Sequence, residues 1–270
     1  MQKQWILFNQ HINFIVNRKN VYTGIKYKND PTIMSWELAN EPRGVDNVTA
    51  YLRWINSTAG LIKNLDHNHL VTTGSEGATS DPLASGTNFF KDHSSKNIDY
   101  TTIHIWVQNW NYYDPEKADS TYSKAVNFAL EYLNNHILIS KKLNKPLVLE
   151  EFGISRDLDS HDPASAVTVR DNYFEKIFEE VYKRANQKEC VIAGCNFWAW
   201  GGEGRPGNPG GIWKLNDDFI GDPPHEFQGW YSVYDKDSST ISIIKKYALR
   251  MDNINKKEQH SAEEKLYKVF

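Results

Sequence analysis

Pro31-Thr-Ile-Met-Ser-Trp-Glu-Leu-Ala-Asn-Glu-Pro-Arg-Gly44 and Lys145-Pro-Leu-Val-Leu-Glu-Glu-Phe-Gly153 are built alike. Each reads as a buried strand whose last residue is a carboxylate, Glu41 in one and Glu151 in the other, followed at once by a Pro or Gly breaker. Their apolar residues do not alternate with polar ones, which predicts burial on both faces of a parallel sheet. Further strands are expected at 69–74, 98–106 and 191–200, beside 31–40 and 147–151. Between and around them, apolar residues recur at helical spacing over 3–18, about 48–65, 120–143, 164–186 and 239–250. Alternating strands and helices predict parallel βα units. Glu41 and Glu151 stand 110 residues and three such units apart. That is about 37 residues per unit, against roughly 31 in an eight-unit barrel.

The expected fold is therefore α/β of the (β/α)8 TIM-barrel type. Only five strands are legible, and a parallel barrel needs eight to close without edges. The opening helix has no strand before it. The chain is accordingly read as the C-terminal five βα units of an incomplete barrel. The alternative is a short protein that covers its open edges by self-association. Residues 1–270 form a single domain in this reading, with 256–270 a terminal extension. There, Ser261-Ala-Glu-Glu264 has the capping-box pattern that opens a short helix.

Composition narrows the function classes. A net charge of −3 gives no basic excess, which argues against nucleic acid and anionic membrane as partners. No apolar run approaches the roughly 20 residues of a membrane span. Met1-Gln-Lys-Gln-Trp-Ile-Leu-Phe8 enters a helical pattern directly, with no signal peptide in this chain. Cys190 and Cys195 flank a strand, whose length separates them beyond disulfide reach, and are read as buried thiols. Nine histidines without paired spacing suggest no metal site, and no cofactor is called for. The Gly-rich stretch 201–211 follows a strand but precedes no helix, so it is not read as a nucleotide loop. The 9 Trp and 14 Tyr are many for 270 residues. Most are expected as core filler and a few as faces for sugar rings.

Two carboxylates at the carboxyl ends of parallel strands suit glycoside cleavage with retention. One donates a proton to the leaving oxygen and the other attacks the anomeric carbon. Glu41 taken alone reads as a structural charge at a helix start, and it is the pairing with Glu151 that favours catalysis. Glu150 competes with Glu151, since neighbours on a strand face opposite sides, and the residues themselves leave that choice open. Glu37 is read as a structural ion-pair former. Arg43 either braces its loop through a carboxylate or is solvated.

Trp36-Glu-Leu-Ala-Asn-Glu-Pro-Arg43, His104-Ile-Trp106, Glu150-Glu-Phe-Gly153 and Phe197-Trp-Ala-Trp200 occur in that order. Together they resemble glycoside hydrolase family 5, and within it the endo-β-1,4-mannanases, from about residue 10 to about 250. The loop 221–235 adds to the mannanase likeness over a β-1,4-glucanase. The resemblance implies a retaining endo-β-1,4-mannanase acting on mannan, glucomannan or galactomannan outside the cytoplasm. By it, Glu41 is the acid/base, Glu151 the nucleophile, and Asn40 the partner of the 2-hydroxyl of the cleaved sugar. His104 lines the sugar site and Trp198 is the platform beneath the sugar. Trp200, two residues on, is expected to point the same way. Trp213 is read as stacking on a neighbouring sugar, and Trp110 as loop packing. Trp106 stands where the family has a tyrosine that bonds the nucleophile. An indole donates but does not accept. The competing reading is a fragment with weak sugar binding or none.

Overall fold

The computed structural model describes residues 2–79 and 81–267, a mixture of helices and short strands. Helix α1 (Gln2–Asn17) precedes β1 (Ser35–Glu37), α2 (Val48–Leu65) and β2 (Leu70–Thr72). Two single-turn helices follow, α3 (Pro82–Ser85) and α4 (Phe89–Asp92). Next come β3 (Thr101–Ile105), α5 (Ala118–Leu143), β4 (Leu147–Phe152), α6 (Thr168–Ala185) and β5 (Ile192–Cys195). β6 (Trp200–Gly202), β7 (Val233–Tyr234) and α7 (Ser238–Tyr267) close the series. β1 pairs with β2 in parallel, with Trp36 opposite Val71. β3, β4 and β5 form a second sheet in that order, and β6 pairs in parallel with β7. Among the described residues no helix is long and apolar enough to cross a membrane.

The chain divides into two compact units, Met1–His104 with His136–Val148, and Ile105–Asn135 with Leu149–Phe270. In the first, α2 starts where Asn47 accepts the Ala50 N–H at 2.9 Å, a side-chain N-cap. Its buried stripe of Tyr51, Ile55, Ala59 and Ile62 packs with Leu38, Val71 and Ile98, and Ile12 of α1 leans on the same cluster. Full burial of a side chain such as Ile55 contributes about 1.5–3 kcal/mol. Beneath β1, Asp66 accepts from the Trp36 indole at 2.7 Å and pairs with His69 at 2.7 Å. A buried polar group is tolerated when its bonds are made in this way.

The second unit is held by rings. Phe152 at the end of β4 meets Phe174 and Phe178 of α6, each with centroids 5.1 Å away. Phe178 in turn stacks on Tyr247 of α7. Arg156 and Arg170 are fully buried, and Asp237 accepts from both, at 2.7 and 2.8 Å.

Several expectations from sequence are corrected. The 31–40 strand shrinks to Ser35–Glu37, although Leu38 N–H still donates to Thr72 O and Glu41 N–H to Gly74 O. Glu41 is therefore not a strand residue. It sits four positions past β1 with φ +46°, a left-handed conformation rare for a side-chain-bearing residue. The 191–200 strand splits because the chain changes partner. Asn196 and Trp198 donate to Leu149 and Phe152 of β4, whereas Ala199 exchanges bonds with Tyr231 and Val233. β7 lies between β6 and α7, and α3 and α4 lie between β2 and β3, where no regular element was expected. α7 runs unbroken through Ser261, so no new helix opens there. The side chains of that capping pattern lie outside the described residues. Cys190 and Cys195 are not in a disulfide and are half-buried, and burial pushes the Cys195 thiol up to about 12.

Candidate active site

Each unit carries one cluster of polar and aromatic side chains at strand ends. In the first unit, β3 presents His104 on the face opposite Thr101, whose hydroxyl bonds Ser140 of α5 at 2.7 Å. His104 is buried, and its Nδ1 lies 2.7 Å from Glu41 Oε1, with the donor set by the imidazole tautomer. Glu41 is half-buried, with Asn40 exposed beside it. Gly74 makes this approach of chains feasible. Its φ is +70°, and a Cβ there would lie 2.1 Å from Ala39 O.

Arg43 does brace the loop through a carboxylate. Both its Nε and an amino nitrogen lie 2.7 Å from Glu76 Oε1. The hydrogen bond to Glu76 raises the Arg43 pKa further. Glu76 itself is buried, and that burial raises its pKa. The Glu41 charge adds to the rise while Arg43 opposes it. Sequence reading did not single out Glu76. A signal was present nonetheless: Glu76 follows β2 and the Gly74 stop, a strand then a breaker and a glutamate.

In the second unit, Glu151 is buried near the end of β4. Strand alternation places it on the face opposite Phe152, and Phe152 packs on α6. Glu150 shares the α6-side face with Phe152. Trp106, the first residue after β3, meets Trp198 edge to face at 6.3 Å and lies 5.1 Å from the Tyr231 ring. Trp198 N–H donates to Phe152 O at 2.9 Å, which ties this ring to the end of β4. Gly153 permits that contact, since a Cβ there would sit 2.8 Å from Trp198 O. Tyr231 donates to Asn109 at 2.6 Å and stacks on Trp230.

A family model described as GH family 5 β-mannosidase-like matches residues 2–256. This chain belongs to glycoside hydrolase family 5. It is 33% identical over 253 residues to mannan endo-1,4-beta-mannosidase 5 of Arabidopsis thaliana, covering 88% of this chain and 54% of the relative. A crystal structure of a family 5 mannosidase from Rhizomucor miehei superposes with a TM-score of 0.82 at 37% identity. The match covers 95% of this chain and 60% of that one. A mutant of that mannosidase, solved in complex with mannosyl-fructose, is 36% identical, again with a TM-score of 0.82, and the match covers 95% of this chain and 60% of that one. The family-5 chain thus spans a little over half the length of these relatives. Its parallel strands and open sheets make up an incomplete barrel of that fold.

Elsewhere in the family-5 chain, Trp200 differs from its expected direction. Trp200 opens β6 and lines a cavity of about 490 Å³ with Phe178, Cys195, Phe197 and Tyr247, whereas Trp198 packs with Trp106. The change of pairing partner between them accounts for the divergence. Trp213 stacks on Phe219 at 5.1 Å and donates to Asp217 O within its own loop. Trp110 packs on Tyr132 and Phe128. Asp159, also missed, accepts from Gln108 at 2.9 Å and from the Trp230 indole at 3.1 Å. No periodic signal marks it, because it lies in a three-residue 3-10 turn, Asp157–Asp159, in which Leu158 and Asp159 are both left-handed.

Proposed function

We propose that this family-5 chain carries the two catalytic carboxyls of a retaining endo-β-1,4-mannanase. The observation that carries the reading is a matched pair of local arrangements in a chain of this family. Glu41 follows β1 and is hydrogen-bonded to His104, while Glu151 is buried at the end of β4 on the side away from α6. Glu41 protonates the leaving oxygen and Glu151 forms the glycosyl ester. Water then attacks with Glu41 as base. Asn40 takes the 2-hydroxyl and Trp198 underlies the sugar. The names of the plant relatives and the mannosyl ligand of the Rhizomucor miehei enzyme support a mannan-type substrate: mannan, glucomannan or galactomannan. Such polymers are met outside the cytoplasm, where we place the activity.

Glu151→Ala abolishes mannan cleavage in this reading while leaving the circular dichroism spectrum unchanged. Turnover retained by that variant refutes it. Comparing mannan with cellulose separates the mannanase from a β-1,4-glucanase.

A second reading is favoured by the chain's span of 54% of its plant relative. It is a fragment that binds sugar weakly or not at all and associates through open strand edges. Robust mannan hydrolysis by the purified chain contradicts it.

A further inference from the structure

We propose that Glu76 is a positioning residue for Glu41, holding Arg43 on one side of it and His104 on the other. The inference rests on the acid/base role proposed for Glu41. The Glu76 carboxylate is 2% exposed, and its Oε1 accepts two contacts from Arg43 at 2.7 Å. Arg43 is two residues beyond Glu41, across Pro42, whose ring restricts the intervening backbone. The backbone oxygen of Glu76 accepts the His104 N–H at 3.1 Å. His104 Nδ1 then lies 2.7 Å from Glu41 Oε1. Two residues before Glu76, Gly74 O accepts the Glu41 N–H at 2.8 Å. The three residues 74–76 therefore hold the Glu41 backbone, its imidazole partner and its cationic neighbour at once.

The same contacts set the charge that Glu41 meets. The groups facing Glu76 in this unit are Arg43 and Glu41 from the segment after β1, His104 from β3 and Tyr51 from α2. Repulsion between two carboxylates is mutual, so an ionised Glu76 favours the protonated form of Glu41, the form that acid catalysis requires. Arg43 makes its hydrogen bonds to Glu76 and also senses the Glu41 charge, so Glu76 sets where that cation sits. Arg43 is 47% exposed, so it completes the buried carboxylate's bonds while itself only partly desolvated.

The test uses the full chain with carbon-13-labelled glutamate, in the variants Glu76→Gln and Glu41→Gln. In Glu76→Gln the Glu41 carboxyl midpoint falls by about one pH unit. In Glu41→Gln the Glu76 midpoint falls by the same amount, because the coupling is reciprocal. With mannan as substrate, Glu76→Gln lowers kcat about tenfold at unchanged KM. Its alkaline limb of kcat/KM also moves to lower pH. A residue that only stabilised the fold would move the unfolding midpoint and neither titration. Unmoved midpoints overturn the inference, and if Glu76→Gln does not fold, the Glu41→Gln titration decides it alone. Coupled midpoints without any hydrolysis by the unaltered chain overturn the mannanase reading instead and leave the Glu76 linkage standing.

Discussion

His104 Nδ1 and Glu41 Oε1 lie 2.7 Å apart, joining the middle sequence of one βα unit to a glutamate 63 positions earlier. The imidazole is buried and the carboxyl half-buried, so water competes poorly for the bond. Hydrogen bonds that involve a charged group contribute about 1.5–3 kcal/mol. His104→Ala is therefore expected to lower kcat/KM on mannan by about 10- to 100-fold. Steady-state kinetics on a folded variant check this, and an unchanged kcat/KM removes His104 from the site.

Gly74→Ala tests the backbone beneath Glu41. The new methyl would lie 2.1 Å from Ala39 O and 2.8 Å from Glu37 Oε2, at φ +70°. The Glu37 carboxylate can swing away, but the Ala39 backbone cannot yield cheaply, and the expected loss is about 2–4 kcal/mol. Urea unfolding measures it. A variant as stable as the parent would mean that residues 37–41 readily take another path.

Asp92 couples stability to pH. It is fully buried, its Oδ2 accepts the Asn88 N–H at 2.9 Å, and burial pushes its pKa to about 7. An unfolded Asp ionises near 3.9. Because the folded value is raised, the Asp92 contribution is most favourable below about pH 4, declines as pH rises towards 7, and is flat above. Asp92→Asn removes that slope and is expected to add ~1–3 kcal/mol at pH 8 and nothing at pH 4. Denaturant unfolding at the two values decides; an equal effect at both rejects the assignment.

Asp237 has the opposite sign. Burial works to raise its pKa, but the Arg170 charge and the hydrogen bonds outweigh it, so the carboxyl sits below its usual range. The contribution is complete above the unfolded value near 3.9 and is lost as pH falls through the folded one. Asp237→Ala leaves two fully buried guanidinium groups without their carboxylate and is expected to cost about 3–5 kcal/mol at pH 7. The difference from the parent narrows in acid. Unfolding curves at pH 7 and pH 3 measure both, and a loss under 1 kcal/mol at pH 7 would indicate that solvent reaches the arginines (about the value of an exposed pair).

Local pattern was enough to locate α2, whose expected limits of 48–65 coincide with Val48–Leu65, and to place α1, α5 and α6 within a few residues. It was also enough to single out Glu41 and Glu151, since an apolar run, a carboxylate and a breaker are adjacent in the chain. Periodicity and turn chemistry act over a few residues, and that is the range at which these features are written. Other features depend on partners distant in sequence. Whether Trp200 follows Trp198 depends on an exchange of bonds from β4 to Tyr231 and Val233, some thirty residues on. The strand, breaker and glutamate at 70–76 mark Glu76 in the sequence, but its contacts with Arg43 and His104 come from segments on either side in the chain. Burial and hydrogen bonding are settled by which segments meet, and only the tertiary structure brings those segments together.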